Sequence, residues 1–281
     1  MRIGKYDVHI IESGYFGLDG GAMFGIVPKS LWEKMNPPDS MNRIKLATRN
    51  LLLISDSKKI LVDTGMGDKW NDKNREIYAV DQETSSLDQS LLKLNLKPED
   101  ITDVILTHLH FDHTGGSTVL NNGRLEPAFP NATYYVQKEN YRWAVNPSER
   151  DKGSYIKDNF VPLKEAGVLM QIEGEKQFDE EIDFIIVNGH TFGQQLLKIS
   201  DSANTFLYCC DLFPTTSHIP LPYVMGYDLQ PLVTVSEKKK ILKSAIDEEW
   251  KLFFEHDPET AYATLASTDK GVRIKAKYKA F

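Results

Sequence analysis

Residues 103–116 read DVILTHLHFDHTGG, an apolar run that passes within a few positions into three histidines, an aspartate and paired glycines. Of the seven histidines in the chain, His108, His110 and His113 fall within six residues, with Asp112 among them. The VILT run reads as a buried strand ending at Thr107. Side chains two apart on extended backbone point the same way, so His108 and His110 are expected to converge on one cation. Asp112 and His113 follow where the chain turns toward TGGS, and are expected to face a neighbouring position, giving two adjacent metals. Imidazole nitrogen and carboxylate oxygen suit zinc first, with manganese or iron as alternatives. The only cysteines, Cys209 and Cys210, are chain neighbours. A disulfide between them is strained, so they are expected as buried thiols rather than a thiolate site.

Four donors do not complete two coordination shells. Three more candidates each stand just past an apolar, strand-like run: His190 after IIVNG, Asp211 after LYCC and His256 after LFFE. With them, five of the seven histidines belong to one expected site, leaving His9 and His218.

Outward from these segments, RIGKYDVHII, RIKLATRNLLLIS, KKILVDTG, ATYYVQ, DFIIVNG, QLLKIS and NTFLYCCD read as strands. SGYFGLDGGAMFGIVPKSLWEKMNPPDS reads as a long functional loop, with a short helix opened by Pro28. Amphipathic spacing predicts helices over 85–96 and from about Ser236, as a cap, to Trp250; KENYRWAV and SYIKDNFVPLKEAG read as further helical pieces. No repeat, low-complexity stretch or composition shift divides the 281 residues, which are expected to form one domain, 1–281. Composition is that of a globular chain, 41% hydrophobic and 26% charged. The formal net charge of −7 disfavours nucleic acid and anionic lipid as partners. Apolar runs fall short of a membrane span, and MRIGKYDVHI lacks a signal-peptide core, so a cytoplasmic location is expected.

With THLHFDHTGG (107–116), GHT (189–191), Asp211, His256 and LVDTG (61–65), the chain closely resembles the metallo-β-lactamase fold superfamily of metal-dependent hydrolases. The resemblance implies an α/β fold, a four-layer αββα sandwich with the active site at the edge between two sheets. It implies one metal held by His108, His110 and His190, a second by Asp112, His113 and His256, and Asp211 bridging both. Asp63, in VDTG, matches a buried aspartate that orients a ligand. Motif order is most similar to the branch holding acyl-homoserine lactonases and methyl parathion hydrolase. The family's GHTPGH reads GHTFGQ here, with Phe192 and Gln194 in place of proline and histidine. Pro214 stands where some lactonases carry a tyrosine.

The expected activity is dinuclear hydrolysis of a small ester or lactone, in which a metal-bridging hydroxide attacks and Asp112 orients it. Tyr223, Tyr227 and His218 are candidates for assisting the leaving group. Met23, Phe24, Phe111 and His218 are candidates for lining the substrate pocket. Phosphotriester hydrolysis and mononuclear iron redox chemistry on the same fold are the alternatives, and a homodimer is a candidate assembly, the sequence leaving the oligomeric state open. The chain holds no G-x-G-x-x-G, P-loop, G-x-S-x-G or H-E-x-x-H motif, so dinucleotide, nucleotide, serine-hydrolase and zincin chemistries lack their usual parts.

Overall fold

The structure, a computed structural model, describes residues 1–269 and 271–281. The chain divides into two compact units, Met1–Tyr15 with Thr48–Gly174, and Phe16–Ala47 with Glu175–Phe281.

In chain order the first strands are β1 (Arg2–Ile3), β2 (Tyr6–Asp19), β3 (Arg43–Ile54), β4 (Lys59–Val62), β5 (Asp103–Ile105), β6 (Thr118–Asn121), β7 (Arg124–Pro127), β8 (Thr133–Gln137) and β9 (Leu169–Ile172). They form a mixed sheet in the order β1-β2-β3-β4-β5-β8-β9, with β6 and β7 as a separate hairpin. β3 and β4 are antiparallel, while β4, β5, β8 and β9 run parallel. Parallel neighbours need crossovers, and helices Leu87–Lys93, Lys138–Val145 and Val161–Glu165 lie in them. Leu91, Val104, Leu106, Leu109, Tyr134, Phe160 and Leu163 belong to one buried cluster of this unit. Val62 pairs with Ile105, so β4 and β5 end side by side and deliver Asp63 and the histidine segment to one sheet edge. In parallel sheets the carboxyl ends of the strands are where sites form.

The second sheet runs β10 (Gln177–Asp179), β11 (Ile182–Val187), β12 (Gln194–Ser200), β13 (Thr205–Tyr208), β14 (Lys251–Phe253), β15 (Tyr262–Thr268) and β16 (Gly271–Tyr278), in sequence order. Only β13 and β14 pair in parallel, Tyr208 opposite Phe253, and helix Pro231–Asp247 lies in the connection between them. Phe206, Leu207, Tyr208, Leu252 and Phe253 are fully buried.

Three expectations change. The expected loop from Ser13 is strand as far as Asp19, after which helix Gly20–Phe24 begins. Pro28 caps helix Lys29–Trp32 rather than opening it. The long helix starts at Pro231, one turn and more before Ser236, because proline at the first helical position needs no donor there and overrides the strand-like look of LVTV. Among the described residues no helix is long and apolar enough to cross a membrane.

Candidate metal centre

In the first unit, His108 stands three residues past the paired end of β5 at Ile105, and His110 two further on. The one-turn helix Phe111–Thr114 then carries Asp112 and His113. Leu109, between the histidines, is buried, and its N–H donates to Asn140 Oδ1 at 3.0 Å, which fixes the segment from beneath. His108, His110, Asp112 and His113 are all buried.

Asp63 organises this segment. Its backbone is left-handed, φ 56°, and its N–H donates to Ile105 O at 2.9 Å. Its carboxylate is wholly buried: Oδ1 accepts the Thr107 N–H at 2.7 Å, and Oδ2 accepts the Thr107 hydroxyl at 2.7 Å and faces His113 Nδ1 at 3.1 Å. A carboxylate only accepts, so His113 carries its proton on Nδ1 and presents the Nε2 lone pair, 3.9 Å from Asp112 Oδ2. Thr107 spends its proton on Asp63, so its oxygen accepts from His108 Nδ1 at 3.2 Å, leaving Nε2 as the lone pair of His108. That Nε2 lies 2.9 Å from His110 Nδ1. The ring of His110 meets the edge of Tyr155 at 4.7 Å.

Close backbone approach holds the surrounding loops. A Cβ on Gly115 would lie 1.9 Å from Met66 O, and one on Gly67, at φ 62°, would lie 2.1 Å from Gly115 O. Lys69 Nζ donates across the same gap to Gly115 O and Thr118 O. Beyond it, Trp70 meets Phe111 edge-on at 5.4 Å, and Tyr78 lies 4.9 Å from Phe111, so two rings pack on the residue just before Asp112. Burial first, and then the Asp112 charge, raises the Tyr78 phenol above its ordinary pKa.

In the second unit the same spacing recurs. His190, Asp211 and His256 each stand three residues past the last paired residue of β11, β13 and β14, namely Val187, Tyr208 and Phe253. These three strands point the same way, so the three side chains reach one edge. Asp211 turns one carboxylate oxygen to each imidazole: Oδ2 lies 3.1 Å from His190 Nε2, and Oδ1 lies 3.1 Å from His256 Nε2. The far nitrogens are tied, His256 Nδ1 donating to Ala47 O at 2.8 Å and His190 Nδ1 facing Asp228 Oδ1 at 3.0 Å. Burial works against the charged form of His190, but Asp211 and Asp228 together outweigh it and hold its pKa at about 9. A carboxylate set between two imidazoles whose outer nitrogens are anchored has the donor chemistry of a metal bridge.

The departures from the family motifs are absorbed locally. Gln194 is buried and donates to Cys210 Sγ at 3.0 Å, while Pro214 O accepts the His256 N–H at 3.1 Å. Cys209 and Cys210 are buried thiols not joined in a disulfide, as expected. Phe24 lies stacked between Trp32 at 5.4 Å and His218 at 4.7 Å, and Met23 is buried beside it in the same helix. His218 faces Thr215 Oγ1 at 2.8 Å and Met23 O at 2.9 Å, and burial pulls its pKa down to about 4, so it is neutral at pH 7. Tyr223 is half-buried with its ring edge-on to Phe24 at 6.2 Å, and Tyr227 is also half-buried. Asp228 is absent from the expected set. It lies 38 residues from its partner His190, and its one local signal is its place three residues before Pro231, which opens a helix.

The sequence matches the family described as Metallo-beta-lactamase superfamily over residues 46–278. It is 27% identical over 249 residues to an N-acyl homoserine lactonase of Bacillus cereus, covering 84% of this chain and 88% of that protein. The crystal structure of a probable metal-dependent hydrolase from Staphylococcus aureus superposes with a TM-score of 0.90 at 30% identity, covering 99% of this chain and 98% of that one. AidC, a dizinc quorum-quenching lactonase solved with a product, superposes with a TM-score of 0.81 at 24% identity, over 99% and 96% of the two chains. The chain therefore has the metallo-β-lactamase fold and belongs to the metallo-β-lactamase superfamily as a metal-dependent hydrolase.

Proposed function

We propose that this protein is a dinuclear hydrolase that opens a small lactone or ester bearing an apolar acyl group. His108, His110 and His190 hold one cation, Asp112, His113 and His256 a second, and Asp211 serves both, within one catalytic domain. The observation that carries this reading is Asp211, whose two oxygens address two different anchored imidazoles at 3.1 Å each. Family membership and the matching donor set around Asp63 support it. Bound there, a pair of zinc ions supplies Lewis acidity and lowers the pKa of water toward neutrality.

The chain's own groups manage the proton. Asp112, 7% exposed, accepts the proton of the attacking water as the new carbon–oxygen bond forms. The same proton is delivered to the departing alkoxide as the ring or ester bond breaks, so the product is a hydroxy acid or an acid plus alcohol. Tyr223 or Tyr227, both half-buried, donates a hydrogen bond to the leaving oxygen. Phe111, Trp70 and Tyr78 give an apolar wall for the acyl group. Lactones of homoserine are the first substrates to test, since relatives bear that name.

The test is hydrolysis of an acyl-lactone series by zinc-reconstituted protein, with bound metal counted. Two ions per chain and lactone turnover lost in Asp211→Ala are expected. Metal-replete protein that cleaves neither lactones nor esters would overturn the reading, and one iron per chain would favour the redox alternative.

A further inference from the structure

Within the second unit, His190 sits on a short turn whose neighbours are held by an adjacent pair of charged residues on one helix. Glu237 accepts the N–H of Asn188 on Oε1 at 2.7 Å and that of Gly189 on Oε2 at 3.0 Å. The contact is close: a Cβ on Gly189 would lie 2.3 Å from Thr234 Oγ1 of the same helix. Lys238 faces the other way. Its side chain is wholly buried, its Nζ donates to Pro220 O at 2.9 Å and Tyr223 O at 2.8 Å, and it lies 5.4 Å from the Phe213 ring.

These two grips meet at one place. The segment after Tyr223 brings Asp228 to His190 Nδ1, and the next two N–H groups zip it down: Leu229 N–H donates to His190 O at 3.1 Å and Gln230 N–H to Gly189 O at 2.8 Å. Gln230 Nε2 adds a bond to Asn188 O at 3.0 Å. Glu237 therefore holds the 188–190 side of the pairing, and Lys238 holds the 220–223 turn that feeds the other side. An unbranched apolar side chain would fill the Lys238 space without desolvating an amine. What the amine adds is two directed bonds onto the carbonyls of one turn. Burial pulls its pKa down to about 7, with Asp228 opposing, and even the neutral amine keeps two N–H donors for those carbonyls.

We propose that Glu237 and Lys238 are positioning residues that clamp the Asp228–His190 contact from its two sides, setting the imidazole for its metal. The inference rests on the reading of His190 as a ligand. The experiment is a double-mutant cycle of Lys238→Met and Asp228→Asn on the full chain. Zinc affinity is read by chelator competition, and amide hydrogen exchange of Leu229 and Gln230 is read in metal-free protein. Each single variant is expected to weaken zinc binding about tenfold, the scale of losing a partner behind a ligand. The double variant is expected to fall little further, because both changes break one device. Exchange at Leu229 and Gln230 should quicken about tenfold or more in Lys238→Met, while the β15–β16 hairpin stays as in wild type. Additive losses, or unchanged exchange, overturn the clamp. If wild type binds no zinc, the ligand reading fails and the exchange arm alone decides the clamp. Should Lys238→Met not fold, Glu237→Gln replaces it: faster Gly189 exchange with weaker zinc binding supports the proposal, and wild-type values overturn it.

Discussion

Replacing Asp63 by asparagine exchanges one acceptor for a donor and leaves the backbone undisturbed, because asparagine tolerates the left-handed φ of 56° found there. Oδ1 still receives the Thr107 N–H. At the Oδ2 position, however, an NH2 group now faces the Thr107 hydroxyl and His113 Nδ1, which wild type places at 2.7 and 3.1 Å. Both must become acceptors. His113 then moves its proton to Nε2, and Thr107 turns its hydroxyl proton toward His108 Nδ1, so His108 also protonates Nε2. One atom thus removes the free lone pairs of two candidate ligands, His108 and His113. Two charge-assisted bonds become neutral ones, a loss of about 1 kcal/mol each, partly offset because no charge is buried; a net cost of about 1–2 kcal/mol follows. At this chain length that lowers Tm by about 2–6 °C. Zinc affinity should fall far more, about ten- to a hundredfold. Calorimetry gives the first figure, chelator competition the second, and histidine ring nitrogen NMR of the metal-free protein reports the tautomers. If Asp63→Asn keeps wild-type affinity with Nδ1–H on His113, Asp63 does not set the tautomers of His113 and His108.

Gly67→Ala or Gly115→Ala should each cost about 3 kcal/mol or more, since the added Cβ meets backbone oxygen at 2.1 or 1.9 Å; an unchanged urea midpoint would contradict the close approach. His218 has its pKa lowered to about 4 in the fold against about 6.5 unfolded, so the unfolded chain binds more protons between those values. Its contribution is full above about pH 6.5 and declines as pH falls toward 4, by about 3 kcal/mol in all. Urea titrations at pH 7 and 4.5 should show a shallower acid loss in His218→Gln than in wild type, and parallel losses would refute this. Trp70→Ala should raise KM for long-chain lactones about tenfold with kcat little changed. An unaltered preference for acyl length would remove Trp70 from the substrate wall.

The candidate ligands were legible because histidine is rare here, seven in 281 residues, and the histidines and Asp211 stand just beyond apolar strands that themselves announce the sheet. What held those ligands was not legible. Asp228, Glu237 and Lys238 meet their partners across 15 to 49 residues, and nothing local marks a lysine in KKK as the buried one. The β2 extension was hidden by its glycines: Gly14, at φ 124°, sits where a Cβ would meet Asp81 O at 2.8 Å, so it serves a close strand approach rather than a loop. The β6–β7 hairpin did carry a signal, Asn122-Gly123, at φ 49° and 81°, the left-handed pair that two-residue hairpin turns require.

The constant three-residue offset from strand end to donor, seen at Val187, Tyr208, Phe253 and Ile105, makes hydrogen-bond register the gauge of the metal chemistry. A single residue inserted between Tyr208 and Asp211 would rotate the carboxylate off its mark as surely as deleting it. Insertions at the Asn122-Gly123 turn leave that gauge untouched. Donor placement is thereby locked to the sheets, while the Asn122-Gly123 turn lies where the chain can lengthen without disturbing it.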